Sequence, residues 1–463
     1  MEPIEIVEAM HRVPMSITLF FTAILIAMVL SLAFEEKLHA KKSVIVGFYA
    51  VLCLLLGTFF DLMPFGAITL PNGHEIEMPV YIPAIDWGVI AIIVGSSLFV
   101  DVTSKSGLFT WIAVKLTKLS KGSPLSLLWY YGVMTVVFSA VLNNVTAMII
   151  VGSLTGVSLK KLGQEKKLLG FLLVEGLLTN IGGLLTLISS IPNIIIGTAA
   201  GISFAAFFIK SVPYVFLATI ITLFMGAKLF KIKGLKTKKE KEGARHLISG
   251  FDENDGIESK RFFWFGAIAL VAFIITIATT SILPYISELG MGFVAIAFAM
   301  MMLLRFKSEA HQFYKEIDLD LIGFFMALFI VINVMEHAMV LDLIGEGIQW
   351  MIGEGESLWG TGVLLVSSSI FSSVTDNIPL AAMLAKILSS IGTPTDSSLW
   401  WSVVFGANLG GNLTPIGSAS TLVAVTLIHK YKLPMSFTGF IVKALPFAIV
   451  QIVLATIYVL LFI

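Results

Sequence analysis

Cysteine is almost absent. Cys53 is the only one and lies in an apolar run, so an intrachain disulfide, a thiolate metal cluster and a dithiol redox couple are excluded. Charge is scarce as well: Asp, Glu, Lys and Arg make up 13% of the 463 residues while 57% are hydrophobic, against roughly 25% charged residues in an ordinary soluble domain. Such a chain cannot fold as a water-soluble globule. Neither sign of charge is in excess, with 30 basic and 30 acidic residues, and the basic ones cluster in loops, which argues against nucleic acid as a partner. A His-Glu-x-x-His motif, a histidine cluster and a serine with a base at motif spacing are all missing, so a membrane-embedded enzyme finds no support.

What the chain does have is long hydrophobic runs. Segments of about 20 residues, each enough to cross about 30 Å of hydrocarbon, cover 13–34, 44–62, 87–102, 125–159, 168–200, 212–230, 262–283, 291–304, 319–341, 358–388, 400–427 and 437–463. Only His11 and Arg12 provide positive charge before the first run. That run lacks a small-residue cleavage site and reads as an anchor helix, not a removable signal peptide.

Orientation follows from lysine, because cytoplasmic loops retain Lys and Arg. Lys37, Lys41 and Lys42 put loop 35–43 inside, and loop 63–86, with neither Lys nor Arg, falls outside. Lys105, Lys115, Lys118 and Lys121 precede the 125–159 stretch, and Lys160, Lys161, Lys166 and Lys167 follow it. Both ends are therefore inside, and the stretch reads as a re-entrant hairpin opening to the cytoplasm. The 358–388 stretch is flanked by segments without Lys or Arg and carries Lys386 as its single basic residue, so it reads as a second hairpin that opens outside. His429, Lys430 and Lys432 mark an inside turn before the last helix, which leaves both termini outside.

The organisation expected is all-α and polytopic. N-terminal scaffold helices (1–86) precede a first repeat (87–230) with its hairpin (125–159) and broken helix (168–200). A basic cytoplasmic linker (231–261) leads to further scaffold helices (262–318) and a second repeat (319–463) with its hairpin (358–388) and broken helix (400–427).

The repeat is written in the polar residues. Phe138 to Asn144 reads FSAVLNN and Phe371 to Asn377 reads FSSVTDN, 233 residues apart; Asn180 to Ser190 reads NIGGLLTLISS and Asn408 to Ser418 reads NLGGNLTPIGS, 228 apart. Chance likeness of apolar runs would match Leu, Ile and Val, not Asn-x-Gly-Gly followed by Thr. Two opposed hairpins, each followed by a Gly-interrupted span, form the layout of inverted-repeat secondary transporters.

A helix broken inside a membrane frees N–H and C=O groups that lipid cannot satisfy, so each break must line a protein-enclosed polar site. At the first tip, Asn143 and Asn144 are expected to end one half-helix, whose carbonyls suit cations, and Val145 to begin another, whose N–H groups suit anions; Thr146 adds a hydroxyl. Gly182, Gly183, Gly410 and Gly411 let the backbone turn, while Asn180, Thr186, Ser190, Asn193, Asn408, Thr414 and Ser418 offer donors and acceptors around the two breaks. The second tip reads Thr375, Asp376, Asn377, Ile378, Pro379, which places a carboxylate where the first repeat has neutral Asn143. An intramembrane acid marks function, as proton carrier or cation ligand; the alternative is a helix N-cap before proline. Glu175, also inside a span, is a proton-coupling acid or a hydrogen-bonded structural one. Glu336 and His337 read as boundary residues, and Asp61 and Asp86 as solvated ones.

At these residues the chain resembles the ion transporter superfamily of arsenite-efflux permeases, NhaD-type sodium/proton antiporters, P-protein permeases and, more distantly, divalent anion/sodium symporters, a family that shares a citrate transporter-like domain. FSSVTDNIPLAAML resembles the Asp-Asn-Ile/Val-Pro hairpin of NhaD-type and P-type members, and NLGGNLTPIGSASTLV is similar to the matching segment of arsenite and P-type permeases. The resemblance implies a scaffold with a mobile transport part that holds both hairpins, an elevator-type movement and a homodimer. There are departures. The Ser-Asn-Thr tips of sodium/dicarboxylate members are replaced at Asn143, Val145, Asp376 and Ile378. The Asp of the P-type Gly-Asp-Pro-Pro-Asn motif is lost at 189–193.

The function expected is a secondary active ion transporter, first a sodium/proton antiporter with Na+ at Asn144, Asp376 and Asn377. Arsenite or another small oxyanion is the alternative substrate, read as a neutral hydroxide through Asn, Ser and Thr, since one cysteine cannot supply three thiolates. A sodium-coupled dicarboxylate transporter and an ion channel rank below these. No organic cofactor is expected; the coupling ions are Na+, H+ or both, the partners are a small inorganic ion and membrane lipid, and the location is a prokaryotic plasma membrane.

Overall fold

The computed structural model describes residues 13–63, 67–69, 73–307, 310–353 and 357–463; His11 and Arg12 lie outside this set. Among the described residues nine helices are long and apolar enough to cross a membrane. In chain order the helices are α1 (Met15–Ala33), α2 (Lys42–Phe59), α3 (Trp87–Ser104), α4 (Leu108–Leu119), α5 (Pro124–Val141), α6 (Asn144–Lys161), α7 (Leu168–Gly182), α8 (Ile191–Ala199), α9 (Phe204–Leu229) and α10 (Lys238–Ile248). They continue with α11 (Lys260–Ala278), α12 (Ile286–Arg305), α13 (Ala310–Glu316), α14 (Leu319–His337), α15 (Val340–Ile352), α16 (Leu358–Val374), α17 (Asn377–Ser390), α18 (Ser398–Gly410), α19 (Ala419–Lys430) and α20 (Phe437–Phe462). Two single turns of helix, Glu35–Leu38 and Tyr81–Ala84, lie between them. A small antiparallel ribbon pairs Ala67 with Glu77 and Thr69 with Glu75 in the 63–86 loop.

The burial pattern is that of a protein dissolved in hydrocarbon. Phe59, Trp264, Ile268 and Leu461 are exposed, whereas Glu175, Asn180, Asn193, Asn408 and Asn412 have no exposed surface at all. Apolar side chains facing lipid lose nothing, and polar ones must find partners within the protein. Residues 124–161 and 358–390 each form two helices joined by a short break, α5/α6 and α16/α17. Residues 168–199 and 398–430 are each interrupted in the middle, as α7/α8 and α18/α19.

Each double helix packs along the first half of the broken helix that follows it, α5 on α7 and α16 on α18. The second halves cross over, α6 packing on α19 and α17 on α8. Around this unit, α3 lies along α12, and α2 along α14. Each 26-residue flanking helix, α9 and α20, carries an internal proline, Pro213 or Pro446.

Two helices fall where the sequence reading has connections. Leu108–Leu119 and Val340–Ile352 are amphipathic, too short to span, and each runs into a double helix. The linker is also ordered in part: Thr237 and Glu240 form a capping box that starts α10. Beyond α10 the chain folds back so closely that a Cβ on Gly107, itself at φ +80°, would lie 2.1 Å from the carbonyl oxygen of Gly256.

Candidate functional site

The tips differ from expectation in which half-helix holds the polar residues. Asn143 and Asn144 do not end a half-helix: α5 stops at Val141, and Asn143 is the N-cap of α6, with its side chain accepting from the Thr146 backbone N–H at 2.7 Å. Asp376 has the matching role for α17, its Oδ1 accepting from the N–H of Ile378 at 3.0 Å. Short side chains that reach back to the first free N–H groups favour the N-cap over the end of the previous helix. Both tips therefore present helix N-termini, which carry partial positive charge.

The breaks are closed by hydrogen bonds that recur with the offsets of the sequence repeat. Ser139 Oγ donates to the carbonyl of Thr179 and Ser372 Oγ to that of Ala407, both at 2.6 Å. Thr186 Oγ1 donates to the carbonyl of Ala140, and Thr414 Oγ1 to that of Ser373. Asn193 Nδ2 donates to the carbonyls of Gly183 and Thr186; Thr421 Oγ1, 228 residues on, lies 3.3 and 3.4 Å from those of Gly411 and Thr414. These bonds satisfy the freed carbonyls and bind each tip to its own break. Glycine is required where the segments touch: a Cβ on Gly182 would lie 2.6 Å from the Val136 carbonyl oxygen, and one on Gly410 2.3 Å from that of Ser369.

The two halves meet through asparagines. Asn180 Nδ2 donates to Asn412 Oδ1 and Ser418 Oγ, at 2.8 and 2.9 Å, while its Oδ1 accepts from Ser420 Oγ at 3.0 Å and, more weakly, from Asn144 Nδ2 at 3.4 Å. Across the centre, Asn408 Nδ2 donates to Asn193 Oδ1, and Ser190 Oγ donates to Asn408 Oδ1. Asn412 passes the network outward, donating to Gln451 Oε1 of α20, whose Nε2 donates to Thr222 Oγ1 of α9. The centre is neutral, made of amides and hydroxyls, with the N-termini of α6 and α19 at Asn180 and that of α8 at Asn408.

Asp376 stands apart from this network. Its Oδ2 is bound by the ammonium of Lys42, the first residue of α2. Side-chain exposures of 30% for Lys42 and 11% for Asp376 make this a partly buried pair rather than a surface one. Lys42 lies 4.0 Å from Glu35 as well, and its neighbour Ser43 donates to Asp320 of α14. Each member of the pair lines a different space. Thr375, Asp376 and Pro379 line an apolar cleft of about 620 Å³ between α1, α15, α16 and α17. Glu35, His39, Lys42 and Asp320 line an open polar pocket of about 380 Å³.

Of the residues singled out in the sequence, Asn144, Asn180 and Ser418 are drawn into one hydrogen-bond network and Ser190, Asn193 and Asn408 into a second. Gly182, Gly183, Thr186, Gly410, Gly411 and Thr414 build the breaks that carry them. Thr375 bonds back to the carbonyl of Phe371 on its own helix, and Asn377 is buried at the start of α17. Among the described residues no hydrogen bond joins Asp376 to Asn144; the Asp376 carboxylate is instead held by Lys42. Glu336 is paired with Lys386 at 3.0 Å and half-exposed, in keeping with a boundary position. Asn412, Gln451, Ser139, Ser372 and Lys42 were not anticipated. Asn412 and the two serines lie inside the repeated motifs and could have been found there; Lys42 had no signal, since 334 residues separate it from Asp376.

The family model described as "Citrate transporter" (CitMHS) matches residues 42–406, most of the chain. A "46 kDa membrane protein" of Mycobacterium leprae is 29% identical over 383 residues, covering 81% of this chain and 86% of that protein. The human "P protein" is 24% identical over 512 residues, covering 92% of this chain and 60% of that one. Among solved structures, the YdaH transporter of Alcanivorax borkumensis aligns with TM-score 0.58 at 12% identity, over 91% of this chain and 98% of that one. MtrF of Neisseria gonorrhoeae aligns with TM-score 0.55 at 14% identity, over 92% and 95%. At such identities these two share the fold. The expected superfamily resemblance and the absence of an enzyme's role both hold: the chain belongs to the citrate transporter family and is an integral membrane secondary transporter.

Proposed function

We propose that this transporter is a cation-coupled antiporter that exchanges Na+ for H+ at Asp376. The observation that carries the reading is the Lys42–Asp376 pair. A carboxylate at membrane depth is costly unless its charge is met. Lys42 meets it while the second tip rests against α2. Once the tip leaves α2, another cation must take that place, and a proton or Na+ is the smallest that serves. In this reading the two double-helix and broken-helix units are inverted-topology repeats of one transport body, a view supported by the hydrogen bonds that recur at matched offsets. That body moves in elevator fashion against scaffold helices that include α1, α2, α11 and α12, within a homodimer in a bacterial plasma membrane. The basic linker faces the cytoplasm and both termini face outward.

A small carboxylate anion is the second reading. It is favoured by the helix N-termini gathered on a neutral amide and hydroxyl centre and by the family's description. Proteoliposomes with a trapped pH dye, given Na+, Li+, arsenite or citrate, separate these possibilities. Na+-driven proton flux that vanishes in Asp376→Asn is the expected result. A response to citrate or arsenite with none to Na+ moves the chain to anion transport.

A further inference from the structure

We infer that Glu175 is a second protonation site of the transport cycle, distinct from the ion site at Asp376; the inference rests on the proton-coupled reading of the same transporter. Glu175 has no exposed surface. Thr155 of α6 donates its hydroxyl to Oε1 at 2.7 Å, and Oε2 has no hydrogen-bond partner among the described residues. An ionised carboxylate placed here would keep a bare oxygen in a low-dielectric interior, whereas the acid form carries its own proton on that oxygen.

Among the described residues no cation is bonded to Glu175. Of the elements packed on α7, α5 contributes Tyr131, which lies within electrostatic reach of Glu175, and α18 contributes no charged residue. The charges of α6, Lys160 and Lys161, and of α19, His429 and Lys430, are exposed at helix ends. On α9, Lys228 is exposed at the helix end, Lys210 lies over the Trp401 ring, and Tyr214 is bound to the Gln451 carbonyl. In the segment before α7, Glu165 and Lys166 are exposed and Lys167 is half-buried.

Glu175 is also part of a polar column that runs between two functional regions. One turn along α6 from Thr155, Ser158 Oγ lies 2.8 Å from the Tyr131 hydroxyl, which lies 2.8 Å from Thr117 Oγ1 near the lysine-rich end of α4. One turn along α7 in the other direction, the Thr179 carbonyl accepts from Ser139, whose Oγ also lies 2.7 Å from Asn144 Oδ1 at the first tip. A structural acid would be expected to use both oxygens. This one leaves an oxygen unused between a basic surface and the central network, a position suited to loading and releasing a proton.

The test is infrared difference spectroscopy of the full chain in lipid nanodiscs, titrated in H2O and D2O. A carboxylic-acid carbonyl band should shift on deuteration, change with pH, disappear in Glu175→Gln and persist in Asp376→Asn. In proteoliposomes, Glu175→Gln should lose Na+-driven proton flux to the level of protein-free vesicles yet retain isotopic Na+/Na+ exchange. A Glu175 band that neither titrates nor exchanges with deuterium, or the absence of any band that Glu175→Gln removes, overturns the inference. If Glu175→Gln fails to fold, Thr155→Val replaces it: removing the single donor to Oε1 must shift the band's frequency, and an unshifted band overturns the assignment. Wild-type vesicles without Na+-driven proton flux would sink the antiport reading alone, because the infrared experiment needs no transported substrate.

Discussion

At the scale of single residues, this protein depends on polar side chains that have no access to water. Asn412 shows the logic: it accepts from Asn180 and donates to Gln451 and to the carbonyl of Leu177. Asn412→Ala strands a buried donor and a buried acceptor at once, and each orphaned group costs about 1–3 kcal/mol. The melting temperature of the purified protein in detergent should fall clearly, without a change in oligomeric state. The glycines of the breaks give a second test, this time of shape. Gly410→Ala forces a methyl group against the Ser369 carbonyl, an overpacking expected to cost about 1–3 kcal/mol. Gly347→Ala places its methyl in open space and should leave the melting temperature unchanged within error.

At the scale of elements, capping chemistry is local, and Asp376 could be read as an N-cap from sequence, but the sequence reading places Asn143 at the end of the preceding half-helix. Asn143 and Asp376 start helices by reaching two or three residues ahead, and the double helices fall within a few residues of their expected ends. Leu108–Leu119 and Val340–Ile352 were not legible, since a search for spans of about 20 apolar residues treats a shorter amphipathic helix as a connection. The partner of Asp376 was hidden for another reason: an ion pair between α2 and the tip of α17 is long-range, and nothing near Lys42 in sequence points to it. If that pair marks one end of the transport movement, fixing it should arrest the cycle. With Cys53→Ala as background, Lys42→Cys and Asp376→Asn should each weaken transport, and Lys42→Cys combined with Asp376→Cys, bridged by a short bifunctional thiol reagent, should cross-link. That bridge should lock the detergent-purified protein in one conformation, seen as a single population by distance measurements between labels on α12 and α19. Two populations that persist after bridging would remove Asp376 from the moving part.

At the scale of the whole molecule, the linker between the halves is more than a tether. The sequence marks 231–261 as a basic boundary between the halves, and charge alone allows nothing further. In the folded chain Glu253 is held by Lys118, with Lys115 at 3.7 Å, so the linker is fastened to the end of α4, the helix that leads into the first tip. The Lys118 ammonium holds the Glu253 carboxyl below the ordinary carboxylate range. A carboxylate with a lowered value contributes its contact above its ordinary titration range and loses it only as pH falls through the lowered value, so the fastening is complete at neutral pH. The pair is partly exposed, with side-chain exposures of 35% and 22%, and ion pairs in contact with solvent contribute little to global stability. Glu253→Gln should therefore leave the melting temperature almost unchanged while freeing the linker locally. Hydrogen exchange followed by mass spectrometry at neutral pH should then show faster exchange across residues 249–258 and at the end of α4, with α7 and α18 unaffected. Equal exchange in the variant and the parent protein would mean that the close approach of Gly256 to Gly107, and not the ion pair, holds the two halves' connection in place.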